Sequence, residues 1–361
     1  MAIYFTILFV FVLLSIYENK LTLSTKNLLF IITTIFLILF AGLRGLKVDF
    51  DNKSYLIFYS VSPYIENLFT NSHKFFSSIR IEPSLIIIFS FVKSFFKDGF
   101  PIAIFLYALL SVYLKMTAIR KMTDFVMLST LIYFSGIFLL QDMTQIRAAV
   151  AVGFILLSIQ KIEEKKVFQF LIYISLAIFF HYSSILFIPF IFLNTKKIDK
   201  LYYILLMFIP LLLSIFKLDP LNFISKINLG VISEKAIQYI TIQKGMKLQI
   251  NIFNFNIILQ IIISLFFIIY CENIKNKYAI ILTKISCYGV ALFYLFISIP
   301  GLAFRTNELL SSVQIILVPL LIYIIKPKAL AEGIVISIAF LYIVNQLLIN
   351  PIINSYNSIL F

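Results

Sequence analysis

Asp142–Lys166 reads DMTQIRAAVAVGFILLSIQKIEEKK: a polar cluster, an apolar run without charge between Arg147 and Lys161, and a basic loop. That order fits a helix that crosses a bilayer and leaves its basic end in the cytoplasm. The same three-part pattern recurs along the chain. Two more polar clusters interrupt apolar sequence, Phe180-His181-Tyr182-Ser183-Ser184 and Phe304-Arg305-Thr306-Asn307-Glu308. An ionisable group at the centre of a membrane helix costs roughly 2.5–3.5 kcal/mol, so such residues read first as functional. Arg147 and Arg305 each precede an apolar run, at the positive end of a helix dipole. A cation gains nothing there unless an anion joins it. An anionic substrate is the first inference.

Composition points the same way. Of 361 residues, 61% are hydrophobic and only 13% charged, and the mean hydropathy is +1.03. A soluble domain carries about twice that share of charge. The chain is therefore an all-α, polytopic transmembrane helix bundle. The formal net charge of +14 would suggest nucleic acid in a soluble protein, but cytoplasmic loops carry Lys and Arg to fix orientation, and no nucleic-acid role is read from it. Cys271 and Cys287 have no metal or redox spacing, and His73 and His181 are the chain's two histidines. No metal site is expected. No P-loop, Gly-rich nucleotide fingerprint or Ser/His/Asp order occurs. The apolar Met1–Tyr17 lacks a basic lead and a small-residue cleavage site, so it reads as a span rather than a cleaved signal.

About twelve spans are expected, at 1–17, 28–43, 100–116, 125–141, 146–160, 168–180, 185–193, 201–216, 251–270, 278–299, 309–325 and 333–349. An outer N-terminus places the loops Glu18–Asn27, Lys115–Asp124, Lys161–Lys166, Asn194–Lys200, Glu272–Lys277 and Lys326–Glu332 inside. About one residue in three is Lys or Arg there, against about one in nine in the outer loops, as the positive-inside rule prefers. Pro83–Phe96 is apolar but short and contains Lys93; counting it as a crossing would put every later basic loop outside. It is read as re-entrant or interfacial, within a single membrane domain. Two longer outer loops remain, about 44–82 and 217–250, long enough to form lids or binding surfaces.

On this topology Arg44, Asp49, Arg147, His181 and Arg305 all fall on the outer side. The guanidinium forks of Arg147 and Arg305 match phosphate oxygens; equally, they could pair with Asp142 and Glu308. His181 could accept a proton from a sugar hydroxyl or hold a phosphate, or be a helix-break histidine bonded to a carbonyl. Ser183 and Ser184 are candidate caps for the following helix. Tyr55, Tyr59 and Tyr64 suit either sugar stacking or interfacial anchoring. Glu82-Pro83 reads as a helix start.

Taken in order, these residues resemble the EpsG-like branch of the Wzy-type polysaccharide polymerases. The likeness comprises the turn with Arg44, Asp49 and Tyr55, then Glu82-Pro83, Gln145-Ile146-Arg147-Ala148-Ala149 opening a span, Phe180-His181-Tyr182-Ser183-Ser184, and Arg305 before a late span. It implies a glycosyltransferase of the bacterial cytoplasmic membrane. This would join undecaprenyl-pyrophosphate-linked oligosaccharide repeat units at the outer face, with a chain-length regulator protein as a partner and no cofactor. His181, Asp49 and Arg147 would be catalytic, and Arg44, Tyr55, Gln145 and Arg305 would bind substrate. Fixed Arg charges in a low-dielectric site can stabilise a pyrophosphate leaving group. The rival readings are a flippase or transporter of lipid-linked glycan, and another membrane glycosyltransferase or an acyltransferase. A histidine with an acidic partner would favour the acyltransferase, and His181 has no acid nearby in sequence.

The orientation is open to direct measurement. Cysteine labelling is expected to find Lys161–Lys166 and Asn194–Lys200 reachable only from the cytoplasm and 219–245 only from outside. Labelling of position 165 from outside alone would reverse the topology.

Overall fold

The computed structural model describes residues 1–70, 81–218 and 250–359. The expected outer loop at 217–250 lies, its edges apart, outside the described residues, as do residues 71–80 of the other. The chain divides into two compact units, Met1–Ile191 with Val318–Phe361, and Phe192–Leu317. The described residues are helical with no strand, and two isolated bridges are the nearest approach to one. Among the described residues six helices are long and apolar enough to cross a membrane: Ala2–Lys20, Leu23–Gly42, Phe100–Met122, Phe255–Asn273, Pro300–Tyr323 and Lys328–Ile349. Six shorter apolar helices accompany them. The chain is thus a multi-pass membrane protein, and helix length alone supports six crossings rather than about twelve.

The first unit begins with α1 (Ala2–Tyr17) and α2 (Leu23–Gly42). Thr22 caps α2, its hydroxyl accepting the Thr25 N–H at 3.2 Å. Their unburied faces carry Phe9, Leu23, Ile31 and Ile35, residues suited to lipid. Glu18, buried between them, accepts the N–H groups of Met127 at 3.2 Å and Leu128 at 3.3 Å. It so serves the orphan donors of a helix over a hundred residues away.

After the short helices α3 (Asn52–Val61) and α4 (Ile65–Thr70) come α5 (Pro83–Phe95) and α6 (Phe100–Met122). Near the start of α5, the Ser84 hydroxyl accepts from Tyr107 at 3.4 Å, seven residues into α6 and so about 10 Å down its axis. Near its end, Val92 lies against Gly99 at the top of α6. The helix therefore runs antiparallel to the start of α6, with Ser84 beside Tyr107 and Val92 beside Gly99. Lys93 has a local reason to be there. Its ammonium donates to the carbonyls of Ser60 at 2.7 Å and Ser62 at 2.8 Å, around the C-terminal end of α3, where a cation is favoured.

Then follow α7 (Val126–Tyr133), extended by a π turn at Phe134–Phe138, α8 (Ile146–Glu163) and α9 (Val167–Phe180). Gly153 brings α8 close to α6: a Cβ there would stand 2.5 Å from the Leu114 side chain, the use of a small residue expected between membrane helices. Two expectations fail here. Lys115 belongs to α6 rather than to an inner loop, and Asp142, expected in an outer one, is fully buried. They form an ion pair at 2.8 Å with both side chains unexposed. Asp142 is drawn inward because the chain after α7 turns within the protein, Gln141–Thr144 being buried throughout; irregular backbone at membrane depth is tolerated only there. Glu164, in the loop after α8, lies between Lys161 at 2.8 Å and Lys166 at 3.0 Å. Their hydrogen bonds pull its carboxyl down to about 2.

The second unit contains α10 (Lys200–Ile215), α11 (Phe255–Tyr270), α12 (Ala279–Leu295), α13 (Pro300–Ser311) and α14 (Gln314–Leu317). Polar side chains join its helices: Asn307 donates to Gln260 at 2.8 Å, Gln260 donates to the Ser286 carbonyl at 3.0 Å, and Ser264 meets Ser286 at 2.8 Å. Lys284 donates to the carbonyls of Asn194 and Lys197. Arg305 is not before a span, as expected, but inside α13, because Pro300 at the first helical position starts the helix earlier. The last helix, α15 (Lys328–Val344), returns to the first unit.

Removing one member of a buried ion pair leaves an uncompensated charge, which costs about 3–5 kcal/mol. Lys115→Met is therefore expected to lower the melting temperature sharply in detergent. Lys115→Met with Asp142→Leu is expected to recover most of the loss. A double variant no better than the single would deny that the pair is held by mutual compensation.

Candidate functional site

Three helix ends of the first unit meet at one carboxylate. Glu82 precedes α5, with Pro83 fixing the first helical position, yet its side chain makes no cap to its own helix. One oxygen, Oε1, lies 2.9 Å from Nδ1 of His181, and the other pairs with Nη1 of Arg147. Arg147 stands in the first turn of α8, after Gln145, whose carbonyl accepts the Ala149 N–H at 2.9 Å. His181 ends α9 in extended backbone, its own N–H still bonded to the Ala177 carbonyl at 2.8 Å. Only that change of direction after Phe180 brings the imidazole to Glu82, 99 residues away in sequence.

Aromatic rings hold the three in place. The Arg147 guanidinium lies 5.8 Å from the centre of the Tyr55 ring, a cation–π distance. Tyr107 meets Phe180 edge-on at 6.0 Å, beside the turn that carries His181. The Arg147 side chain keeps 24% exposure and that of His181 10%. Its Nε is buried without a partner among the described residues. The cluster thus contains a base oriented by a carboxylate and a guanidinium with capacity to spare, a set able to move a proton and hold an anion.

Arg44 and Asp49 form a second group. Nε of Arg44 donates to Asp49 at 2.9 Å and Nη1 to the Ala41 carbonyl at 2.6 Å, with both side chains of the pair unexposed. Burial pushes the Asp49 carboxyl above the usual range, against the pull of Arg44. The last part of the chain straps this turn in place. Gly45 donates to the Asn357 carbonyl at 2.9 Å, Asn354 to that of Val48 at 2.7 Å and Ile359 to that of Leu43 at 2.9 Å. Tyr356 stacks on Phe40 with centroids 4.1 Å apart. The two groups are linked by α3, which begins at Asn52 beside Asp49 and presents Tyr55 to Arg147.

Of the residues singled out in sequence, Arg147, His181 and Tyr55 converge around Glu82. Arg44 and Asp49 pair with each other, Gln145 is the residue before α8, and Arg305 is exposed on α13 in the second unit. The alternative partner expected for Arg147, Asp142, is taken by Lys115. Ser184 caps nothing; its hydroxyl is buried without a partner among the described residues. Sequence reading missed Glu82 as a site residue by treating it as a helix start. Its signal was an acid opening an apolar segment.

A cluster of Glu, Arg and His on the ends of apolar helices thus lies within a multi-pass membrane protein. The chain belongs to the EpsG family, whose profile matches residues 27–358, and membership assigns it to polysaccharide biosynthesis at a membrane. No curated protein and no solved structure matches it.

Glu82 and His181 act on each other directly, so their substitutions are expected to be non-additive. In a cycle of Glu82→Gln, His181→Asn and the double variant, thermal unfolding is expected to give a coupling of about 0.5–3 kcal/mol. Strict additivity would dissolve the contact.

Proposed function

We propose that this protein is a polymerase that joins undecaprenyl-pyrophosphate-linked oligosaccharide units at the outer face of the bacterial cytoplasmic membrane. The observation that carries the reading is the single carboxylate of Glu82 shared by Arg147 and His181. With Nδ1 of His181 donating to Glu82, the other ring nitrogen holds the lone pair. It accepts the proton of the acceptor sugar hydroxyl as that oxygen bonds to the anomeric carbon of the growing chain. The bond from that carbon to the pyrophosphate oxygen breaks, its electron pair leaving with the carrier lipid. Arg147 meets the charge that develops on the pyrophosphate. The proton then passes from the imidazole to solvent. Asp49 is committed to Arg44 and is not the base in this scheme. Arg305 remains a second candidate for the pyrophosphate.

The Glu82–His181 contact also suits a membrane acyltransferase, which uses a histidine with an acidic partner as base. Deleting the gene separates the two. Loss of long polymer, with single lipid-linked repeat units accumulating at the outer face, supports the polymerase. Polymer of normal length lacking acyl groups supports the acyltransferase, and units trapped at the inner face would mean a flippase.

Arg147→Lys tests the phosphate role. Lysine keeps the charge but not the planar fork, and losing a charge-assisted hydrogen bond of roughly 1.5–3 kcal/mol corresponds to about ten- to a hundred-fold in rate. Arg147→Lys is expected to lose most long polymer at normal protein level, and Arg147→Ala more. A normal polymer ladder from Arg147→Lys would remove Arg147 from the reaction.

A further inference from the structure

Two links join α5 to the end of α9. One is the Glu82–His181 contact at 2.9 Å. The other is the ring of Tyr107, which reaches both helices from α6. On one side it meets Phe89 of α5 edge-on at 6.4 Å, and its hydroxyl donates to Ser84 at 3.4 Å. On the other it meets Phe180, the last residue of α9, edge-on at 6.0 Å. Ser84 is two residues from Glu82, and Phe180 is next to His181. Tyr107 thus bears on the neighbours of both site residues, while its hydroxyl is spent on Ser84.

The ring can set a distance because its surroundings are closed. Tyr107, Phe89 and Ser84 are all fully buried, and interiors packed to crystal density do not yield. Phe180 is backed in turn by Phe154 of α8, with centroids 6.0 Å apart, on the helix that begins beside Arg147. Behind Phe89 stands Tyr59 of α3 at 5.5 Å. An aromatic row therefore runs behind the helix ends that meet at Glu82. The hydroxyl counts for less than the ring. Its hydrogen bond is long, whereas the ring makes two edge contacts, an arrangement that aromatic pairs prefer.

The spacing governs which nitrogen of His181 carries its proton. A carboxylate paired with Arg147 only accepts. Held at Nδ1, Glu82 keeps the proton of the neutral imidazole there and leaves the lone pair on Nε2. A movement of α5 from α9 by about 1 Å would take the contact beyond hydrogen-bond range and remove that preference.

We infer that Tyr107 is a positioning residue, whose ring sets the separation of α5 and α9 and so fixes the tautomer of His181. The tautomer follows from the geometry alone; its use in deprotonating a sugar hydroxyl rests on the polymerase reading.

His73 is the chain's other histidine, so His73→Gln leaves His181 as the single one. The test reads the full-length protein in nanodiscs, carrying isotope-labelled histidine, by nitrogen NMR at the alkaline end of the imidazole titration. The His73→Gln protein is expected to show one tautomer, protonated at Nδ1. Adding Tyr107→Phe is expected to keep it, because the ring remains. Adding Tyr107→Leu is expected to lose it and give signals of both tautomers. Phe180→Leu, on the other side of the same contact, is expected to act likewise and replaces Tyr107→Leu if that variant does not fold. Phe267→Leu, at an equally buried ring of α11 in the second unit, is expected to lower the melting temperature and leave the tautomer unchanged. A single Nδ1–H tautomer in Tyr107→Leu, its loss in Tyr107→Phe or in Phe267→Leu, or its absence from the His73→Gln protein would each overturn the assignment. Polymer ladders from the same variants separate the two claims. A lost tautomer beside polymer of normal length would keep Tyr107 as a positioning residue and remove His181 as the base.

Discussion

The Glu82 carboxylate is the joint on which three helix ends of the first unit depend. It binds a guanidinium with one oxygen and an imidazole with the other, and so joins the start of α5, the start of α8 and the end of α9. None of the three groups is stable there alone, because a charge taken out of water needs compensation close by. Together they fix one another's rotamers. The placement of α5, the break after α9 and the approach of Tyr55 on α3 are what bring these groups together.

The same rule governs the other polar groups inside the helices. Lys115 has Asp142, Arg44 has Asp49, Glu18 has the N–H groups of Met127 and Leu128, and Lys93 and Lys284 have backbone carbonyls. In a bilayer each polar residue must find a partner within the protein. Some of the charges that look functional in sequence are therefore structural. Lys115 and Asp142 are sealed off and join two elements, whereas Arg147 and His181 retain exposure.

Much of this was legible in the sequence because hydropathy is a one-dimensional signal. The apolar helices, the helix start at Ile146 and the break at His181 can be read along the chain. Pairings are two-dimensional and cannot. Nothing in sequence selects Glu82 over Asp142 as the partner of Arg147, or joins Lys115 to Asp142 from loops expected on opposite faces. Arg305 was misread for a local reason: Ser298-Ile299-Pro300-Gly301 resembles a loop, whereas Pro300 begins a helix. The return of residues 350–359 to the Arg44 turn left no sequence signal, since on the side of the turn its hydrogen bonds are made by backbone groups.

That return sets an order of assembly. The turn after α2 enters the membrane early in synthesis, and the segment that clasps it is made some three hundred residues later. Until then the carbonyls of Leu43 and Val48 and the N–H of Gly45 have only water or lipid headgroups as partners. Chains usually fold from the N-terminus as they emerge, but this turn must wait for Ile359 and its neighbours. The helices can therefore be inserted and packed while the turn is still unclasped. A chain cut short before residue 350 would keep its apolar helices and lack the hydrogen bonds that hold the Arg44 turn.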